Sequence, residues 1–578
     1  MSKNVASQIV EILVKSGVKR IYSVTGDSLN HLNEAVKKEG TIKWIHVRNE
    51  EVGAFAAAAE AELDGIACCA GSSGPGHVHL INGLYEANRG NVPVIAIAST
   101  CNTREFGTDY FQETNTIKLF DDCSVYNQIA TTAQQAPRML QAALQHAIAK
   151  KGVAVFGMPG DLTDQPAVEN ISSSFTFPSA PVVTPNPIDL QKLADDINSV
   201  DKVTIYCGFG ASEAHSEVVE LAQKINAPVG YSFRGKMGIQ YNNPNEIGMT
   251  GLLGLPSAFH SMCKSELILL LGTDFPYVDF MPQGLKIVQI DEKQERLGRR
   301  AQLTTGLTGK IKDTLQVLNP LIKSKESREF LDQQLKNYDK VNQNLLAYVE
   351  TKGSEDKIHP EYVATIINKH AKNDAIFTLD TGMCCVWGAR YVHATGERKM
   401  LGSFMHGTMA NAMPMAIGAQ LTYPDRQIIA FCGDGGLSML LGDLATIKQY
   451  NLPIKLFVFN NRSLGMVKLE MQVIGIPENE TDMHNPDFAL VAQAMGFEGI
   501  NVHDPEKVEE AVEYALKTDK PILVNFFTDS NALAMPPEIS WEQMKGMGIT
   551  MSKMMLDGNV QEVFDTIKSN YKHIKEIF

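Results

Sequence analysis

The sequence predicts an α/β protein of three doubly wound parallel-sheet domains, followed by a helical C-terminal tail. Short apolar runs of strand type alternate with longer helical patterns along most of the 578 residues. This alternation is typical of parallel sheets covered by helices on both faces. Polar or glycine-rich turns follow many of the strands, and open parallel sheets bind ligands at that edge. A chain of this length is expected to form three or four domains.

Changes in the pattern divide the chain into the segments 1–180, 181–345, 346–530 and 531–578. The proline-rich stretch FPSAPVVTPNP is an expected interdomain linker between the first two segments. A second α/β pattern begins with IHPEYVATIINKH in the third segment. The fourth segment is the tail. The proline-rich composition therefore indicates the boundary near residue 180, and changes in hydrophobic periodicity indicate the other two.

Composition excludes several classes of protein. The chain is 44% hydrophobic and 20% charged, which is ordinary for a soluble globular protein, and its net charge of −14 argues against nucleic acid as a partner. Nine cysteines occur without a CxxC spacing, which favours buried reduced thiols and a cytosolic compartment. The N-terminus lacks the apolar core of a signal peptide, and no apolar run reaches the ~18–20 residues that span a bilayer.

The first candidate site lies in a βαβ unit of the third segment. Strand patterns at Ile428–Cys432 and Lys455–Phe459 end in the turns GDGG and NN, with a helical segment between them. Asp434 and Asn461 would then supply two oxygens to one hard cation at the carboxyl ends of neighbouring strands. Magnesium prefers such oxygen ligands. Two ordinary turns are the alternative interpretation.

A second candidate residue is Glu50 in the first segment. It follows the strand pattern IKWIHV and opens the helical pattern EEVGAFAAAAEAEL. By pattern alone, a carboxylate at a helix N-terminus is favoured by the macrodipole and needs no functional explanation. Loops containing Gly26 and the sequence SSGPG follow other strands of this segment, so several candidate ligand loops are expected on one edge of the sheet.

The middle segment carries a weaker ligand signal. Its turn Gly208–Ala211 resembles a dinucleotide-binding glycine turn, but a short GxGA is not specific. Asp291 ends the strand LKIVQID, where a carboxylate would meet a ribose or adenine. An N-cap before EKQERLG is an equally good interpretation of this residue.

The tail has an amphipathic pattern with two interpretations. It is either a terminal helix docked on its own subunit or a segment that binds a membrane surface, with Lys568, Lys572 and Lys575 near the apolar face. The apolar positions at helical spacing are Val560, Val563, Phe564, Ile567, Tyr571, Ile574 and Phe578.

Taken together, these motifs resemble a known family. GDG followed by NN is similar to the diphosphate- and magnesium-binding motif of thiamine diphosphate enzymes. The stretches RNEEVGAFAAAAEAEL, GSSGPGHVHLINGLYEA, DYFQET, RGK, MTGLLG, LLGTDFPY and LGSFMHGTMANAMP resemble the pyruvate oxidase family over essentially the whole chain. The nearest resemblance is to its quinone-dependent branch, the pyruvate dehydrogenases that use quinone.

The resemblance implies a role for each domain. The first domain would bind the aminopyrimidine, the central domain would be a Rossmann-like FAD domain, and the third would bind the diphosphate and Mg²⁺. It further implies that Asp434, Asn461 and the backbone carbonyl of Ser463 are metal ligands. Glu50 would contact N1′ of the aminopyrimidine and promote its imino tautomer. The residue before this glutamate, commonly His in relatives, is Asn49.

The resemblance also implies two sets of cofactor-binding residues. Met409 would be the apolar wedge beneath the thiazolium ring, and a core methionine is the compatible alternative. The thiamine diphosphate set is Gly26, Glu50, Asp380, Gly382, Gly407, Thr408, Met409, Asp434, Gly435, Gly436, Asn461, Ser463, Leu464, Gly465, Met466 and Val467. The FAD set is Thr250, Gly251, Leu252, Leu253, Thr273, Asp274, Phe275, Pro276, Tyr277 and Asp291.

The implied catalytic residues are Glu50, Phe111, Gln112, Met466 and Glu470. Phe111 and Gln112 would face the substrate, although Phe111 would equally suit the core. Glu470 matches an active-site glutamate, and a solvated surface position is its alternative. Met466 stands where the oxidases commonly have an aromatic residue that affects electron passage to the flavin.

The implied function is oxidative decarboxylation of pyruvate to acetate and CO₂ through hydroxyethyl-thiamine diphosphate, with electrons passing to FAD and then to a membrane quinone. A phosphate- and O₂-dependent oxidase making acetyl phosphate and H₂O₂ is one alternative. An acetolactate-forming carboligase and a catalytically inactive relative are others. The resemblance also implies active sites between the subunits of a dimer, a homotetramer, and a cytoplasmic enzyme that contacts the inner face of the cell membrane through its tail.

Overall fold

The computed structural model describes residues 3–169, 180–532 and 541–556, together with Gln561, Val563, Phe564 and Thr566. The strands are β1 Arg20–Ser23, β2 Lys43–His46, β3 Ala67–Gly71, β4 Val94–Thr100, β5 Tyr126–Ile129, β6 Val153–Pro159, β7 Val203–Cys207, β8 Val229–Tyr231, β9 Glu246–Met249, β10 Leu267–Leu271, β11 Lys286–Asp291, β12 Thr305–Thr308, β13 Gly353–Ser354, β14 Lys357–Ile358, β15 Ile376–Leu379, β16 Lys399–Gly402, β17 Ile428–Gly433, β18 Lys455–Asn460, β19 Glu498–Val502 and β20 Ile522–Phe527.

The α-helices surround these strands. They are α1 Val5–Lys15, α2 Asn30–Glu39, α3 Glu50–Asp64, α4 Pro75–His79, α5 Ile81–Gly90, α6 Thr116–Leu119, α7 Ala136–Lys150, α8 Gly160–Thr163, α9 Pro187–Asn198, α10 His215–Ile225, α11 Lys236–Ile239, α12 Pro256–Cys263, α13 Ile311–Leu318, α14 Glu329–Val349, α15 Pro360–His370, α16 Met383–Tyr391, α17 Ala412–Thr422, α18 Asp434–Met439, α19 Leu444–Gln449, α20 Gly465–Val473, α21 Phe488–Ala494, α22 Val508–Lys517 and α23 Trp541–Leu556.

The described strands form three six-stranded parallel sheets, which confirms the predicted fold class. The first sheet has the order β2-β1-β3-β4-β6-β5, and the third has the order β16-β15-β17-β18-β20-β19. Each places its own strands in the sequence second, first, third, fourth, sixth, fifth. The first and third domains therefore share one topology and present equivalent strand ends. Strands β13 and β14 form a small antiparallel pair outside these sheets.

The middle sheet has a different order, β12-β11-β10-β7-β8-β9. Counted within this domain, the order is 6-5-4-1-2-3, which is the arrangement of dinucleotide-binding folds. Strands β7 and β10 run side by side in register, with Val203 opposite Leu267, and both are fully buried. Their near-continuous apolar sequences are expected of parallel strands covered on both faces.

Two helices join the first and third domains. Helix α3 packs against α17 along an alanine-rich face, and the helices approach so closely that a Cβ at Gly418 would lie 2.2 Å from Ala56 O. Only glycine allows this separation. One buried hydrophobic cluster accordingly runs from α3 through α17 to the strands of the third sheet.

The middle and third domains are joined by polar contacts to backbone carbonyls. The buried Arg390 of α16 donates to Leu253 O (3.1 Å) and Gly254 O (3.2 Å). The buried Lys236 donates to Ala389 O (2.5 Å). Both cations reach across the junction, so the loop at 250–254 is fixed against the helix that follows Gly382.

The tail begins with a docked helix. Helix α23 packs on α20, where Thr550 Oγ1 donates to Gln472 O and Lys553 Nζ donates to Gly475 O, each at 2.9 Å. Of the predicted amphipathic positions, Val563 is buried and Phe564 is 58% exposed. Val560, Ile567, Tyr571, Ile574 and Phe578, with the three lysines beside them, lie outside the described residues.

Two further features concern the cysteines and the lengths of the described helices. Every cysteine is free, and all except the exposed Cys263 are buried. Among the described helices, none has both the length and the apolar character that a bilayer crossing requires.

Candidate active site

The GDG and NN turns meet at the ends of β17 and β18, where Gly433 pairs with Phe459. Asp434 opens α18 and is only 3% exposed. Its Oδ2 accepts hydrogen bonds from Arg462 N (2.8 Å) and from Asn485 Nδ2 (2.7 Å). The structure therefore brings the two motifs into direct contact. Sequence reasoning missed Asn485, because nothing in its local sequence indicates that it reaches this turn.

The donor set suits a hard cation. Burial raises the pKa of Asp434 to about 6, and the hydrogen bonds that the carboxylate accepts from Asn485 and from backbone amides oppose this shift. Asn461 Oδ1 accepts from Ser463 N (3.1 Å), which shapes the turn that carries the predicted carbonyl ligand. Among the residues that the structure describes, none forms a hydrogen bond with the buried Ser463 Oγ. A buried carboxylate and an unsatisfied hydroxyl fit a bound metal and diphosphate.

Glycines make room at the same place. A Cβ at Gly436 would lie 1.8 Å from Asp380 Oδ2, and one at Gly435 would lie 3.1 Å from the methyl group of Met409. A Cβ at Gly465 would lie 2.9 Å from Asn461 Nδ2. A side chain at Gly436 would collide with Asp380, and side chains at Gly435 and Gly465 would crowd their neighbours, so these glycines leave room for a diphosphate cradle.

The rest of the predicted diphosphate set surrounds this cradle. Leu464 N donates to Thr481 O (2.8 Å), and α20 begins at the next residue. Met466 is half-buried against the core of the third domain, whereas Val467 is 45% exposed. Gly382, at φ +131°, precedes α16, so the left-handed turn that follows Asp380 depends on glycine.

Glu50 is the first residue of α3 and is 5% exposed. Asn49 caps this helix by accepting from Glu51 N (2.9 Å), so the residue that departs from the family pattern serves the helix N-terminus. Glu50 Oε2 lies 2.9 Å from His79 Nδ1. Its Oε1 faces Gly76, where a Cβ would lie only 3.1 Å away. Sequence reasoning missed His79, although it belongs to the GPGHVH stretch.

The loops beside Glu50 form a second cradle. A Cβ at Gly26 would lie 2.4 Å from Ser72 Cβ, so these two turns touch. Ser73 Oγ donates to Gln112 O (3.0 Å), and Gln112 has a left-handed φ of +61°. Phe111 is 77% exposed, so the core interpretation of this residue is wrong. The structure places Gln112 and Phe111 at the same edge of the first domain as Glu50.

The two half-sites face each other. Asn82 Nδ2 donates to Glu51 Oε1 (2.8 Å) and to Thr408 Oγ1 (2.9 Å), and thereby connects the Glu50 helix with the loop that carries Met409. Arg48 N donates to Asp443 Oδ1 (2.8 Å) across the same junction. The resemblance implies that such contacts form between subunits, whereas the described chain makes them within itself.

The predicted flavin residues lie at the carboxyl edge of the middle sheet. Thr250 is buried, and within the described part of the chain its Oγ1 has no hydrogen-bond partner. Asp274 forms an ion pair with Arg299 (2.6 Å). Asp291 is buried and accepts from Lys293 N (2.9 Å), and a short 3-10 turn follows instead of the expected helix. The unsatisfied Thr250 hydroxyl and the dinucleotide-type strand order fit a bound FAD.

Among the predicted flavin-binding residues, Tyr277 lies near residues of the third domain. This side chain is 41% exposed and packs against Phe275, which also contacts the backbone at Gly251. Burial of its ring, together with the nearby Cys385 and Glu470, raises the pKa of Tyr277. Glu470 is exposed on α20 and lies near the flavin segment. The remaining predicted positions in this region are Leu252, Leu253, Thr273 and Pro276, of which Leu252 and Pro276 are exposed.

One other group of residues has metal-ligand geometry. The ligand atoms of His370, Glu509 and Glu513 lie within 4.8 Å of one another. Lys369 pairs with Glu509 at 2.6 Å and Lys517 pairs with Glu513 at 2.7 Å, so lysines already neutralise both carboxylates. We interpret the group as a surface ion-pair network.

Comparison with known proteins agrees with this geometry. Three family models match the chain: the N-terminal TPP binding domain of thiamine pyrophosphate enzymes at residues 3–119, their central domain at 190–318, and their C-terminal TPP binding domain at 380–526. Thiamine pyrophosphate is thiamine diphosphate under another name. The central match contains all six strands of the middle sheet, whereas the N-terminal match ends before β5 and β6 and the C-terminal match begins just after β15.

Individual relatives match over most of their length. The Bacillus subtilis protein YdaP, whose name describes it as containing thiamine pyrophosphate, is 34% identical over 100% of both chains. A pyruvate oxidase of Lactiplantibacillus plantarum is 30% identical over 89% of this chain and 87% of its own. A chloroplastic acetolactate synthase of Zea mays is 26% identical over 97% of this chain and 90% of its own. The chain belongs to the family of thiamine pyrophosphate-dependent enzymes.

Proposed function

We propose that this enzyme oxidatively decarboxylates pyruvate to acetate and CO₂, passing the electrons to FAD and then to a membrane quinone. The observation that carries the proposal is the juxtaposition of Glu50 with the Thr408–Met409 loop, combined with a flavin-type middle domain whose Tyr277 lies near Glu470. The name and extent of the Lactiplantibacillus plantarum relative favour pyruvate as the substrate.

When bound, thiamine diphosphate supplies a nucleophilic carbon for the keto group and an electron sink for the loss of CO₂. Asp434, Asn461 and the Ser463 carbonyl would hold its diphosphate through Mg²⁺. Glu50, whose side chain is buried at the start of α3, would hold the proton at N1′ of the aminopyrimidine. Met409 would support the ring from below.

The substrate end of the site would be formed by Phe111, Gln112 and Glu470. The side chains of Phe111 and Glu470 are exposed, so they are available to a small ligand entering from solvent. The backbone of Gln112 is held by the hydrogen bond that its carbonyl oxygen accepts from Ser73 Oγ (3.0 Å). Of the three, Gln112 carries the N–H donors that the carboxylate or carbonyl oxygens of a 2-keto acid would accept from.

The flavin would bind at Thr250–Leu253, Thr273–Tyr277 and Asp291. Thr250 offers its unsatisfied hydroxyl, and Asp291 offers a carboxylate whose pKa is raised by burial. Tyr277 lies beside Glu470 of the catalytic helix α20. This proximity supports electron passage between the thiamine and flavin sites, and Met466 occupies the intervening helix.

We further propose a peripheral membrane enzyme on the inner face of the cell membrane. A quinone acceptor dissolves in the bilayer, so the enzyme must reach the membrane surface, and the amphipathic tail pattern suits that contact. We also propose a homotetramer with sites shared between subunits. The resemblance to the pyruvate oxidase family is what supports this assembly, since the described chain makes the contacts between α3 and α17 within itself.

The direct test is anaerobic addition of pyruvate to the flavin-loaded enzyme. Bleaching of the flavin, with recovery on addition of quinone, supports the proposal. Recovery with O₂ and dependence on phosphate would point to the acetyl phosphate-forming oxidase instead. Acetolactate formation without bleaching would point to a carboligase, and an unchanged spectrum without any product would point to an inactive relative.

A further inference from the structure

The loop 403–411, between β16 and α17, carries Thr408 and Met409 and is called the wedge loop here. Its backbone is strained. Gly407 and Ala410 both have left-handed φ angles, of +77° and +68°. A left-handed conformation disfavours an L-residue such as alanine, and strained residues persist only where the surroundings hold them. The wedge loop therefore depends on restraints outside its own backbone.

Ser403 is the centre of these restraints. Its Oγ accepts from Thr408 N (2.9 Å), and its carbonyl oxygen accepts from Gly407 N (2.9 Å). Asn411 closes the loop, since its Oδ1 accepts from Ser403 N (3.2 Å) and its Nδ2 donates to Thr408 O (2.8 Å). The conformation of Thr408 is thus tied to the position of Ser403.

The remaining bond of Ser403 leads into another domain. Because its Oγ already accepts from Thr408 N, its hydroxyl hydrogen is directed to Oε2 of Glu86, with which it forms a hydrogen bond. Glu86 is 5% exposed and lies on α5 of the first domain. The amide of Thr408, the hydroxyl of Ser403 and the carboxylate of Glu86 form a continuous hydrogen-bonded chain.

Helix α5 holds the wedge loop at two points. Asn82 and Glu86 are four residues apart and so lie on one face of the helix. Asn82 Nδ2 donates to the hydroxyl of Thr408 (2.9 Å), while Glu86 reaches its amide through Ser403. One face of α5, in the first domain, therefore holds Thr408, the residue next to Met409, both directly through Asn82 and indirectly through Ser403.

The surroundings of Glu86 contain few compensating charges. Burial raises its pKa to about 7, opposed by the bond from Ser403. Among the charged groups around it, Glu62 of α3 raises this pKa further and Arg234 of the middle domain lowers it. All three domains meet at this carboxyl group. Burying this carboxyl group costs free energy, and within the described packing the contact with Ser403 is the interaction that accounts for its position.

We propose that Glu86 is a positioning residue, which acts through Ser403 to fix the wedge loop in the conformation that accepts thiamine diphosphate. It touches neither cofactor nor substrate. The inference rests on the proposed function only in taking thiamine diphosphate as the ligand, and it holds whether α5 and the wedge loop belong to one chain or to two. Met409 and Thr408 would bind the cofactor, and Glu86 would stabilise the loop conformation in which they do so.

The test measures binding of thiamine diphosphate to the cofactor-free enzyme by titration calorimetry at saturating Mg²⁺, without pyruvate. Glu86→Ala and Ser403→Ala should each raise the dissociation constant about tenfold, the usual effect of losing a charge-assisted hydrogen bond. The double variant should be no weaker than either single variant, because both remove the same connection. Glu86→Gln keeps an acceptor for Ser403 and should recover most of the affinity.

Glu361→Gln is the matched control, since Glu361 is also buried with a pKa raised to about 7 but lies on α15, away from the wedge loop. It should leave the affinity unchanged. Additive effects of Glu86→Ala and Ser403→Ala, or an equal loss in Glu361→Gln, would overturn the proposal. If Glu86→Ala fails to fold, Ser403→Ala and Glu86→Gln decide the question. Failure of pyruvate to bleach the flavin would leave this result untouched.

Discussion

Nδ1 of His79 lies 2.9 Å from Oε2 of Glu50, at the edge of the first sheet where the pyrimidine ring is expected to bind. The contact holds one carboxylate oxygen and leaves the other toward Gly76. Because Glu50 is 5% exposed whereas the His79 side chain is 52% exposed, the histidine stands between the carboxylate and solvent. Orientation of Glu50 is thus set by a neighbour on α4 as well as by its own helix.

Replacing Glu50 by Gln is expected to lower pyruvate-dependent flavin reduction by at least about 100-fold, since the amide cannot exchange a proton with the aminopyrimidine. Stopped-flow absorbance of the flavin under anaerobic conditions measures the rate. Glu51→Gln, one residue further along α3, is the matched control and should reduce the rate far less. A Glu50→Gln enzyme at the wild-type rate would remove the proposed role.

Replacing Asp434 by Asn is expected to raise the Mg²⁺ concentration needed for cofactor binding by about tenfold or more, because the buried carboxylate is the charged ligand of the set. The measurement is a Mg²⁺ titration of thiamine diphosphate binding. Asp519→Asn changes an exposed carboxylate of the same domain and should have no effect. An unchanged Mg²⁺ requirement in Asp434→Asn would place the metal elsewhere.

Gly436→Ala is expected to destabilise the enzyme by about 1–3 kcal/mol and to weaken cofactor binding, because its Cβ would lie 1.8 Å from Asp380 Oδ2. Gly442, close by in the same βαβ unit, has no atom within 4 Å of an added Cβ. Gly442→Ala should therefore bind the cofactor normally. Thermal melts with and without cofactor compare the two, and equal behaviour would argue against a tight cradle at Gly436.

The stability of the third domain should depend on pH through Glu361. Burial raises its pKa to about 7, so the folded protein binds a proton that the unfolded chain releases above its ordinary pKa near 4.5. The free energy of unfolding therefore falls as pH rises toward 7, by about 3 kcal/mol at most. Glu361→Gln should flatten the Tm between pH 5 and pH 8. Parallel Tm curves for variant and wild type would contradict this.

Shared sites can be tested by mixing two impaired variants, Glu50→Gln and Asp434→Asn, at a Mg²⁺ concentration that supports cofactor binding in the wild type but not in Asp434→Asn. If each site takes one half from each of two chains, hybrids contain one intact site, and flavin reduction by pyruvate returns to a fraction of the wild-type rate. This is the outcome expected from the proposed assembly. No recovery after subunit exchange would mean that each chain completes its own site, as in the contacts described for a single chain.

The tail prediction is tested by co-sedimentation with anionic phospholipid vesicles in the presence of pyruvate. A chain ending at residue 556 keeps the docked helix α23 and lacks the amphipathic stretch. It is expected to lose vesicle binding, because that stretch supplies both the apolar face and the lysines. Equal partitioning of the full and shortened chains would rule out the membrane role of these residues.

The sequence was sufficient for the strands that carry the site and for the edge strand β2, but it missed the opposite edge strand of the first sheet and one edge strand of the third. The fully buried β17 and β18 have unmistakable apolar runs. Strands β5 and β19, at the edges of their sheets, were not predicted, because Tyr126–Ile129 and Glu498–Val502 are only partly buried and mix polar with apolar residues. Edge strands lack the continuous hydrophobic signal on which pattern reasoning depends.

The same limit explains the site residues that were missed. Asp434 and Asn461 stand at strand ends in recognisable turns, so local sequence was enough. Asn82 and Glu86 act on residues more than 300 positions away, and their own surroundings suggest only a helix. Their importance arises from how the domains pack, which no single-sequence pattern contains. Both lie within the GSSGPGHVHLINGLYEA stretch, whose resemblance to the family was the only available indication.

The close crossing of α3 and α17 sets the separation between the two halves of the candidate active site. Gly418 meets Ala56 O with no room for a methyl group. Neither residue belongs to the predicted cofactor-binding or catalytic sets. Any larger side chain at this point would have to push Glu50 and Met409 apart together with their domains. Gly418, which has no side chain, therefore fixes the distance between the two domains that the expected bent cofactor would span.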